Sequence, residues 1–323
     1  MRKCTNRLTL RPDFRNQYTF GACVSARWQA SAMATPFLGS EAVRSGLLTP
    51  YALRSRFVAI HPDVYVPAGT RPTAVLRAQA AWLWSRRRGV VAGQSAAALH
   101  GAKWVDDHAP AELLYDCRRP PKHIRTWSDR FDDDEVQLIG GVPVTTPVRT
   151  ALDLACRYPQ VKAVAAIDAL GQATALKITD VELLAERYRG RRGICDARIA
   201  LPLVDTGSDS PRESRLRLFL IRSGYPPPQT QIPVYDEWQQ LVAVLDMGWE
   251  EIMVGLDYEG EHHRTNPRRF NQDIRRHETV TGLGWIDLRI TLEDTEGGIL
   301  GRVADAWSRR ACTPSDFRAR FSR

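Results

Sequence analysis

Residues 241–264 read LVAVLDMGWEEIMVGLDYEGEHHR, and this stretch decides the fold of the last third of the chain. In residues 251–259, Ile252, Val254 and Leu256 alternate with other residues at the two-residue period of β-strands, and residues 241–246 also read as a strand. We predict a further strand on each side, at residues 229–234 and 285–291, and helices over 212–223 and 270–283. The pattern therefore indicates a central mixed sheet of about four strands flanked by helices.

Acidic residues fall where these predicted strands end. Asp246 closes one strand, and Asp257 and Glu259 close its neighbour, while Glu213 lies in the first turn of the preceding helix. Residues two apart on a strand point to the same face, and adjacent strands lie about 4.8 Å apart. Because clustered carboxylates repel one another, we expect a divalent cation, Mg²⁺ or Mn²⁺, to be held mainly by Asp246 and Asp257, with Glu213 or Glu259 completing its shell directly or through water. A water bound to such a cation is a nucleophile for a phosphodiester.

The composition is that of an ordinary globular protein, with 323 residues, 43% of them hydrophobic and 25% charged. No run approaches the apolar length of a membrane span, no secretory signal is evident, and the six cysteines are scattered. We expect reduced thiols, a cytoplasmic location and no membrane partner. Of the net charge of +8, residues 1–33 carry +5 and residues 302–323 carry +4, which leaves −1 on the body between them, so global charge alone does not indicate DNA binding.

Residues 34–70 have the order helix, turn, helix, hairpin. Ser40 is a candidate cap for the first helix, and Thr49-Pro50 begins the second, which carries Arg54 and Arg56. Two short β-runs around a His61-Pro62-Asp63 turn follow. This order predicts a winged helix-turn-helix in which Arg54 and Arg56 contact DNA. The alternative is a small helix–hairpin unit that serves only for packing.

The chain is expected to be α/β in its last domain and α+β overall. We predict a leader at residues 1–33 that is disordered or mis-started near Met33, a winged unit at 34–70 and a mixed middle region at 71–202. A linker at 203–211, a nuclease-fold domain at 212–310 and a basic tail at 311–323 follow.

The C-terminal motifs resemble the Vsr-like domains, relatives of the very-short-patch-repair endonuclease within the PD-(D/E)XK superfamily. The resemblance covers about 80 residues and rests on an ordered series of motifs: Ser210-Pro211-x-Glu213, Asp246-x-x-Trp249, Asp257-Tyr258-Glu259-Gly260-Glu261-His262-His263-Arg264, Asp273-Ile274-Arg275-Arg276 and Gly284-Trp285. It implies a restriction-endonuclease-like fold, metal binding at Asp246 and Asp257, and catalytic roles for Glu213, Glu259 and His262 or His263.

This sequence departs from the family pattern in two ways. The usual Glu-then-Asp order of the acidic pair is swapped at Asp257 and Glu259, and Glu259 also replaces the usual superfamily lysine. A lysine would supply positive charge to the transition state, so its loss counts against hydrolysis. A histidine could take over as general acid or base.

The N-terminal part resembles the AbiEi-type antitoxins and transcriptional regulators. The matching features are residues 37–66, the run Gly93-x-Ser95-Ala96-Ala97-Ala98-Leu99-His100-Gly101, and Val142-Pro143-Val144-Thr145-Thr146-Pro147-x-Arg149-Thr150-x-x-Asp153. The resemblance implies a winged helix that binds DNA upstream of its own operon, and a cognate toxin or operon partner.

Two functions follow from these features. The first is a DNA-binding protein whose endonuclease-like domain hydrolyses phosphodiester bonds with Mg²⁺. The alternative is an AbiEi-like antitoxin and regulator in which the nuclease fold is catalytically silent. RNA is a third, weaker choice of substrate.

Overall fold

In a computed structural model, the chain forms three sheets with helices packed between and around them. The structure describes residues 35–259 and 267–321, with backbone alone for 267–274 and 320–321. The predicted α+β class is confirmed. In the described part of the chain, no helix has both the length and the apolar character needed to cross a membrane.

The N-terminal unit, residues 37–67, contains two short helices and a three-stranded sheet of order β1-β3-β2. Thr49 caps the second helix by accepting the Ala52 N–H, and Pro50 supplies its first residue. Its elements are β1 (Phe37–Leu38), α1 (Gly39–Arg44), α2 (Pro50–Arg56), β2 (Phe57–His61) and β3 (Val64–Pro67). The elements thus follow one another in the predicted order.

The predicted cap at Ser40 is wrong. Ser40 lies inside α1, whose N-cap is Leu38, and its hydroxyl donates to the Asp63 carboxylate at 2.6 Å. Asp63 sits in the hairpin turn at φ +64°, so its side chain is directed at the helix across that turn. This serine therefore ties the first helix to the hairpin. The Asp63 carboxylate also accepts the Ser40 N–H at 2.8 Å, so Asp63 supplies the acceptor for the free N–H groups at the start of α1 that a capping serine would have supplied.

The middle region, residues 74–203, has a five-stranded sheet of order β6-β5-β4-β8-β7 with helices against it. The strands are β4 (Val90–Val91), β5 (Ala111–Leu114), β6 (Ile124–Trp127), β7 (Val136–Ile139) and β8 (Val142–Thr145). The helices are α3 (Ala74–Trp84), α4 (Gly93–Leu99), α5 (Pro147–Arg157), α6 (Gln160–Ala173), α7 (Ile178–Arg187) and α8 (Ile194–Ala200).

A buried ion cluster fixes the position of α5. The Arg149 side chain is fully buried and pairs with Glu135 and, at 3.0 Å, with Asp153. Arg191 reaches the same Asp153 oxygen at 2.5 Å, and the Tyr188 hydroxyl donates to Glu135 at 2.6 Å. A buried charge is tolerated only when it is paired, so these residues are placed for structural reasons.

The C-terminal region, residues 211–321, contains a four-stranded sheet of order β12-β11-β10-β9. β10 pairs with β9 and β11 in antiparallel fashion, whereas β11 and β12 are parallel and joined through a helix. The elements are α9 (Pro211–Arg222), β9 (Gln229–Tyr235), β10 (Leu241–Trp249), β11 (Val254–Tyr258), α10 (Pro267–Gly282), β12 (Ile286–Ile290), α11 (Glu296–Arg309) and α12 (Pro314–Phe321). This is the four-stranded mixed sheet predicted from residues 211–293.

Aromatic side chains hold the last two helices against this sheet. The Trp249 and Trp307 rings meet edge to face at 4.9 Å between centroids, and Tyr225 and Phe317 pack against Trp307. Trp249 is 1% exposed and donates its indole N–H to the Pro226 carbonyl at 3.0 Å. The tryptophan that follows Asp246 by three residues is therefore a core residue.

A second buried pair joins the middle and C-terminal regions. Asp168 on α6 pairs with Arg217 on α9 at 3.0 Å, and both side chains are nearly inaccessible to solvent. Asp168 also accepts the Ser214 hydroxyl at 2.7 Å and the Asp205 N–H at 2.8 Å. Asp205 also accepts the Thr230 hydroxyl of β9 at 3.0 Å, so residues 203–211, predicted as a linker, are bonded to both regions.

Candidate functional site

Asp246 and Asp257 lie side by side on β10 and β11. Asp246 was predicted to close its strand, but β10 continues for three more residues to Trp249, because Met247, Gly248 and Trp249 pair with β11. The strand register pairs Met247 with Leu256, and one further step places Asp246 opposite Asp257. The Asp246 N–H donates to an Asp257 carboxylate oxygen at 3.0 Å, and the Tyr258 N–H donates to an Asp246 oxygen at 2.6 Å. Each carboxylate therefore accepts a hydrogen bond from the backbone of the opposite strand.

The side chains on either side of Asp246 in β10 pack into different clusters. Leu245 packs with Val280 of α10, whereas Met247 packs with the cluster that contains Trp307. Residues two apart on a regular strand point to one face, so the strand changes face between them. The residue facing this point on β9 is Gln231, which has φ +52°, a left-handed conformation that is uncommon outside glycine. Such irregularities re-aim side chains and are frequent next to functional sites.

Burial and nearby carboxylates raise the pKa values of both Asp246 and Asp257. Burial, followed by the charge of Asp257, raises the pKa of Asp246 to about 7, against the opposing effect of the Tyr258 N–H. Burial also raises the pKa of Asp257, although the nearby Arg276 guanidinium acts to lower it. Two adjacent carboxyl groups with raised pKa values indicate a site suited to a cation.

Cations from the chain already neutralise part of this acidic surface. Arg276 of α10 pairs with Asp257 at 2.9 Å and donates to the Val244 carbonyl at 2.6 Å. Glu259, two residues after Asp257, pairs with Arg289 of β12 at 2.8 Å. These two arginines bring positive charge to the site from later elements of the chain.

A histidine–carboxylate pair lies on the same helix and sheet. The His277 Nδ1 is 2.7 Å from Asp287, whose side chain is 2% exposed and whose other oxygen is buried without a hydrogen-bond partner among the described atoms. The charge of Asp287 also contributes to raising the pKa of Asp257. Sequence reasoning missed this pair; the only signal was the placement of His277 immediately after the Asp273–Arg276 motif.

Glu213 is close to the carboxylate pair but is used elsewhere. Its two oxygens accept the Ser210 hydroxyl and the Asp209 N–H, each at 2.8 Å, while Ser210 in turn accepts the Glu213 N–H. This is a capping box, which satisfies the free N–H groups at the start of α9. The charge of Glu213 still raises the pKa of Asp246. The structure therefore brings two of the three predicted ligands together and leaves the third at the helix end.

The residues present are compatible with Mg²⁺. Hard oxygen donors are what this ion prefers, and it is commonly held by one or two carboxylates with water completing its shell. Asp246 and Asp257 supply such a pair. Their raised pKa values mean that ionising both groups is costly, and a bound cation would lower that cost. His262 and His263 lie outside the described residues.

Another acidic group occurs in the middle region. Oxygens of Asp132, Asp134 and Glu135 lie within 4.8 Å of one another. Arg187 pairs with Asp134 at 2.8 Å, and Arg149 pairs with Glu135. Because arginines already balance these carboxylates, the group serves the ion cluster that holds α5.

The N-terminal unit presents the two predicted DNA-contacting arginines on its second helix. Arg54 and Arg56 are exposed in the last turn of α2, and neither forms an ion pair within the described part of the chain. Tyr51, on the first turn of the same helix, is 76% exposed. The helix thus offers two free cations and an aromatic side chain on the surface.

Comparison with known proteins places a family match in the middle of the chain. Residues 89–203 match the model of the AbiEi antitoxin C-terminal domain. This match begins later and ends later than the N-terminal resemblance to AbiEi-type proteins, which ran from residue 37 to about residue 170. The comparisons give no support to the Vsr-like resemblance of the C-terminal motifs.

Two curated relatives are similar over 172 residues at 29% identity: the uncharacterized proteins MT2308 and Rv2248 of Mycobacterium tuberculosis, from strains CDC 1551 / Oshkosh and ATCC 25618 / H37Rv. The match covers 52% of this chain and 63% of each relative, so the chain spans less than two thirds of their length. No solved structure matches the chain. Residues 89–203 are thus the part of this chain that matches the AbiEi antitoxin C-terminal domain.

Proposed function

We propose that this protein is an AbiEi-like antitoxin and transcriptional regulator that binds DNA through its N-terminal unit. The observation that carries the proposal is the match of residues 89–203 to the AbiEi antitoxin C-terminal domain, directly after a helix–turn–helix–hairpin unit. The family's description also supports a cognate toxin as a partner.

The charges on the N-terminal unit support a role in DNA contact. Glu41 and Asp63 are already paired with Arg87 and Arg86 of the segment after α3, whereas Arg54 and Arg56 have no such partners in the described residues. Free arginines on an exposed helix are suited to phosphate oxygens, and each contact releases counterions from the duplex. The helix carrying them is the one that a winged helix-turn-helix places in the major groove.

The test is binding to the DNA that precedes the protein's own coding sequence. We expect wild type to retard this duplex in preference to a scrambled duplex of equal length, and the Arg54→Ala/Arg56→Ala variant to lose that retardation. A matched control is Arg187→Ala/Arg198→Ala, which removes two exposed arginines of the middle region. Equal binding of specific and scrambled duplexes would count against a regulator.

A second candidate function is Mg²⁺-dependent cleavage of DNA by the C-terminal region. The specific observation in its favour is the convergence of Asp246 and Asp257 on adjacent strands of a four-stranded mixed sheet. In this proposal Asp246 and Asp257 hold the ion, which when bound would polarise a phosphodiester and activate water. Arg276 and Arg289 would supply positive charge near the phosphate, in the role that the absent lysine has in the superfamily.

Plasmid cleavage in Mg²⁺ or Mn²⁺ tests this second function. We expect nicking by wild type and none by Asp257→Ala, whereas Asp196→Ala, an exposed carboxylate on α8, should behave as wild type. If wild type shows no metal-dependent cleavage of duplex or single-stranded DNA, only the regulator proposal stands.

A further inference from the structure

The hairpin of the N-terminal unit faces the protein's own middle region. Val64 of β3 is fully buried and belongs to one apolar cluster with Ala80 and Leu83 of α3. His61, the last residue of β2, is 5% exposed. The hairpin therefore forms the contact between the N-terminal unit and α3.

Ion pairs hold the turn of this hairpin in place. The Asp63 carboxylate accepts the N–H and the hydroxyl of Ser40, and Arg86 pairs with it at 2.7 Å. Arg87 donates through both terminal nitrogens to Glu41 of α1, at 2.6 and 2.7 Å. The backbone of Arg86 and Arg87 is left-handed, with φ +57° and +61°, which is uncommon outside glycine. The turn is thus fixed to α1 and to the segment after α3.

The hairpin also lacks the charge that contact with DNA requires. Residues 57–67 contain no lysine or arginine, and the turn carries the acidic Asp63. The exposed side chains of β2, Val58 and Ala59, are apolar. Contacts to the DNA backbone are made mostly by cations and hydrogen-bond donors. The hairpin is therefore poorly suited to bind phosphates.

Helix α2 has one face that points outward. Leu53 packs with Ala42 of α1 in the interior of the unit, whereas Tyr51, Arg54 and Ser55 are exposed. Residues three and four apart are neighbours on a helix surface, so these three side chains form one continuous face. Tyr51 is 76% exposed and lies in the first turn, the part of a recognition helix that contacts base edges.

We propose that α2 alone reads duplex DNA, with Tyr51 at the base edges and Arg54 at a phosphate, while the hairpin docks the unit on α3. The proposal rests on the proposed DNA-binding function and names the residue that gives it sequence specificity. A tyrosine hydroxyl both donates and accepts hydrogen bonds, and its ring offers an apolar surface to a thymine methyl group. Phosphate contacts position the protein but carry no sequence information.

The experiment places the same negative charge on α2 and on the hairpin. Ser55→Glu adds it to the outward face of α2, and Pro62→Glu adds it to the exposed residue of the hairpin turn. Anisotropy measures binding to the duplex that precedes the coding sequence, and thermal melting checks that both variants are folded. We expect Ser55→Glu to bind about tenfold more weakly, because like charges repel at the interface, and Pro62→Glu to bind as wild type does.

Two further variants separate base readout from phosphate contact. In Tyr51→Ala the ratio of affinities for the upstream and scrambled duplexes should fall about tenfold, the usual size of one lost base contact. Its salt slope should not change, because tyrosine releases no counterions. Arg54→Ala should instead weaken binding to both duplexes alike and reduce the slope by about 0.9.

If Pro62→Glu weakened duplex binding as much as Ser55→Glu, the hairpin would contact DNA and the inference would be wrong. Wild-type affinity in Ser55→Glu, or an unchanged duplex preference in Tyr51→Ala, would also overturn it. These results are distinct from failure of the regulator proposal, which would appear as a wild-type protein without preference for its upstream duplex, and the inference would then fail with it.

Discussion

Asp246 and Asp257 each accept a hydrogen bond from the backbone of the other's strand, at 3.0 Å from the Asp246 N–H and 2.6 Å from the Tyr258 N–H. Carboxylates thus replace carbonyl groups as the acceptors that hold β10 to β11 at this point. The arrangement fixes both side chains in position while keeping two buried acids adjacent, which is costly unless a proton or a cation is present.

A divalent cation should therefore stabilise the folded protein. We expect the melting temperature of wild type to rise in millimolar Mg²⁺ or Mn²⁺, because a ligand that binds only the folded state shifts unfolding by mass action. Asp246→Ala and Asp257→Ala should rise much less. In chelator these variants are expected to melt at or above the wild-type temperature, since removing one charge relieves repulsion.

The carboxylate control for this experiment is Asp196→Ala, which should retain the full metal-dependent rise. A wild-type melting temperature that does not respond to either metal, together with no heat of binding by calorimetry, would remove the metal site and the nuclease proposal with it.

Stability in chelator should fall between about pH 4 and pH 7. The folded pKa of Asp246 is about 7, above the unfolded value of about 3.9, so the folded state binds the proton more tightly. The free energy of unfolding then decreases as pH rises through this window, and the loss is complete above the folded pKa. Asp246→Asn has no carboxyl group to titrate at this position. Its free energy of unfolding relative to that of wild type should therefore increase from pH 4 to pH 8.

Urea unfolding of both proteins at several pH values measures that difference. Asp196→Asn serves as the control, because its exposed carboxylate does not face the buried pair. A difference between Asp246→Asn and wild type that is constant with pH would show that Asp246 titrates normally in the folded protein.

Duplex binding should lose salt dependence when α2 loses its arginines. Each phosphate contact contributes about 0.9 to the slope of log affinity against log salt on B-DNA, so Arg54→Ala/Arg56→Ala should reduce the slope by about 1.8. Anisotropy titrations between about 50 and 200 mM salt measure it. An unchanged slope with wild-type affinity would place the duplex on another surface.

The pair that joins the middle and C-terminal regions should be sensitive to loss of one partner. Burial raises the pKa of Asp168 to about 6 despite the attraction of Arg217, so this carboxylate needs its neighbours. Arg217→Met is expected to lower the free energy of unfolding by about 3–5 kcal/mol, since an uncompensated buried charge remains. The double variant Asp168→Asn/Arg217→Met should recover part of this loss.

Arg222→Met, on the exposed side of the same helix, is the matched control and should change stability little. Chemical denaturation followed by fluorescence gives the comparison. If Arg217→Met proved no worse than Arg222→Met, the buried pair would contribute nothing to the joining of the two regions.

The sequence by itself determined the local elements that have strong signals. Thr49, Thr146 and Ser210 each precede a proline and each caps the helix that follows, because a side-chain acceptor followed by proline satisfies a helix start regardless of context. The strand signals in residues 241–246 and 251–259 likewise placed Asp246 and Asp257 on neighbouring strands. Strands as short as Val90–Val91 were missed because two residues show no period. Helix α8 was also missed; it starts at Gly193, whose φ is +83° and where a Cβ would lie 2.0 Å from the Cys156 carbonyl oxygen, a contact only the folded chain reveals.

Only the tertiary structure decided which charges meet. The resemblance to Vsr-like domains made Glu213 a candidate third metal ligand, but in the structure its carboxylate accepts the Asp209 N–H and the Ser210 hydroxyl at the start of its own helix. Arg276, His277 and Arg289 reach the site from α10 and β12, and no local period relates them to Asp257. Helix and strand signals depend on neighbours within a few residues, whereas the electrostatics of a buried site depend on whichever groups packing brings within a few ångströms.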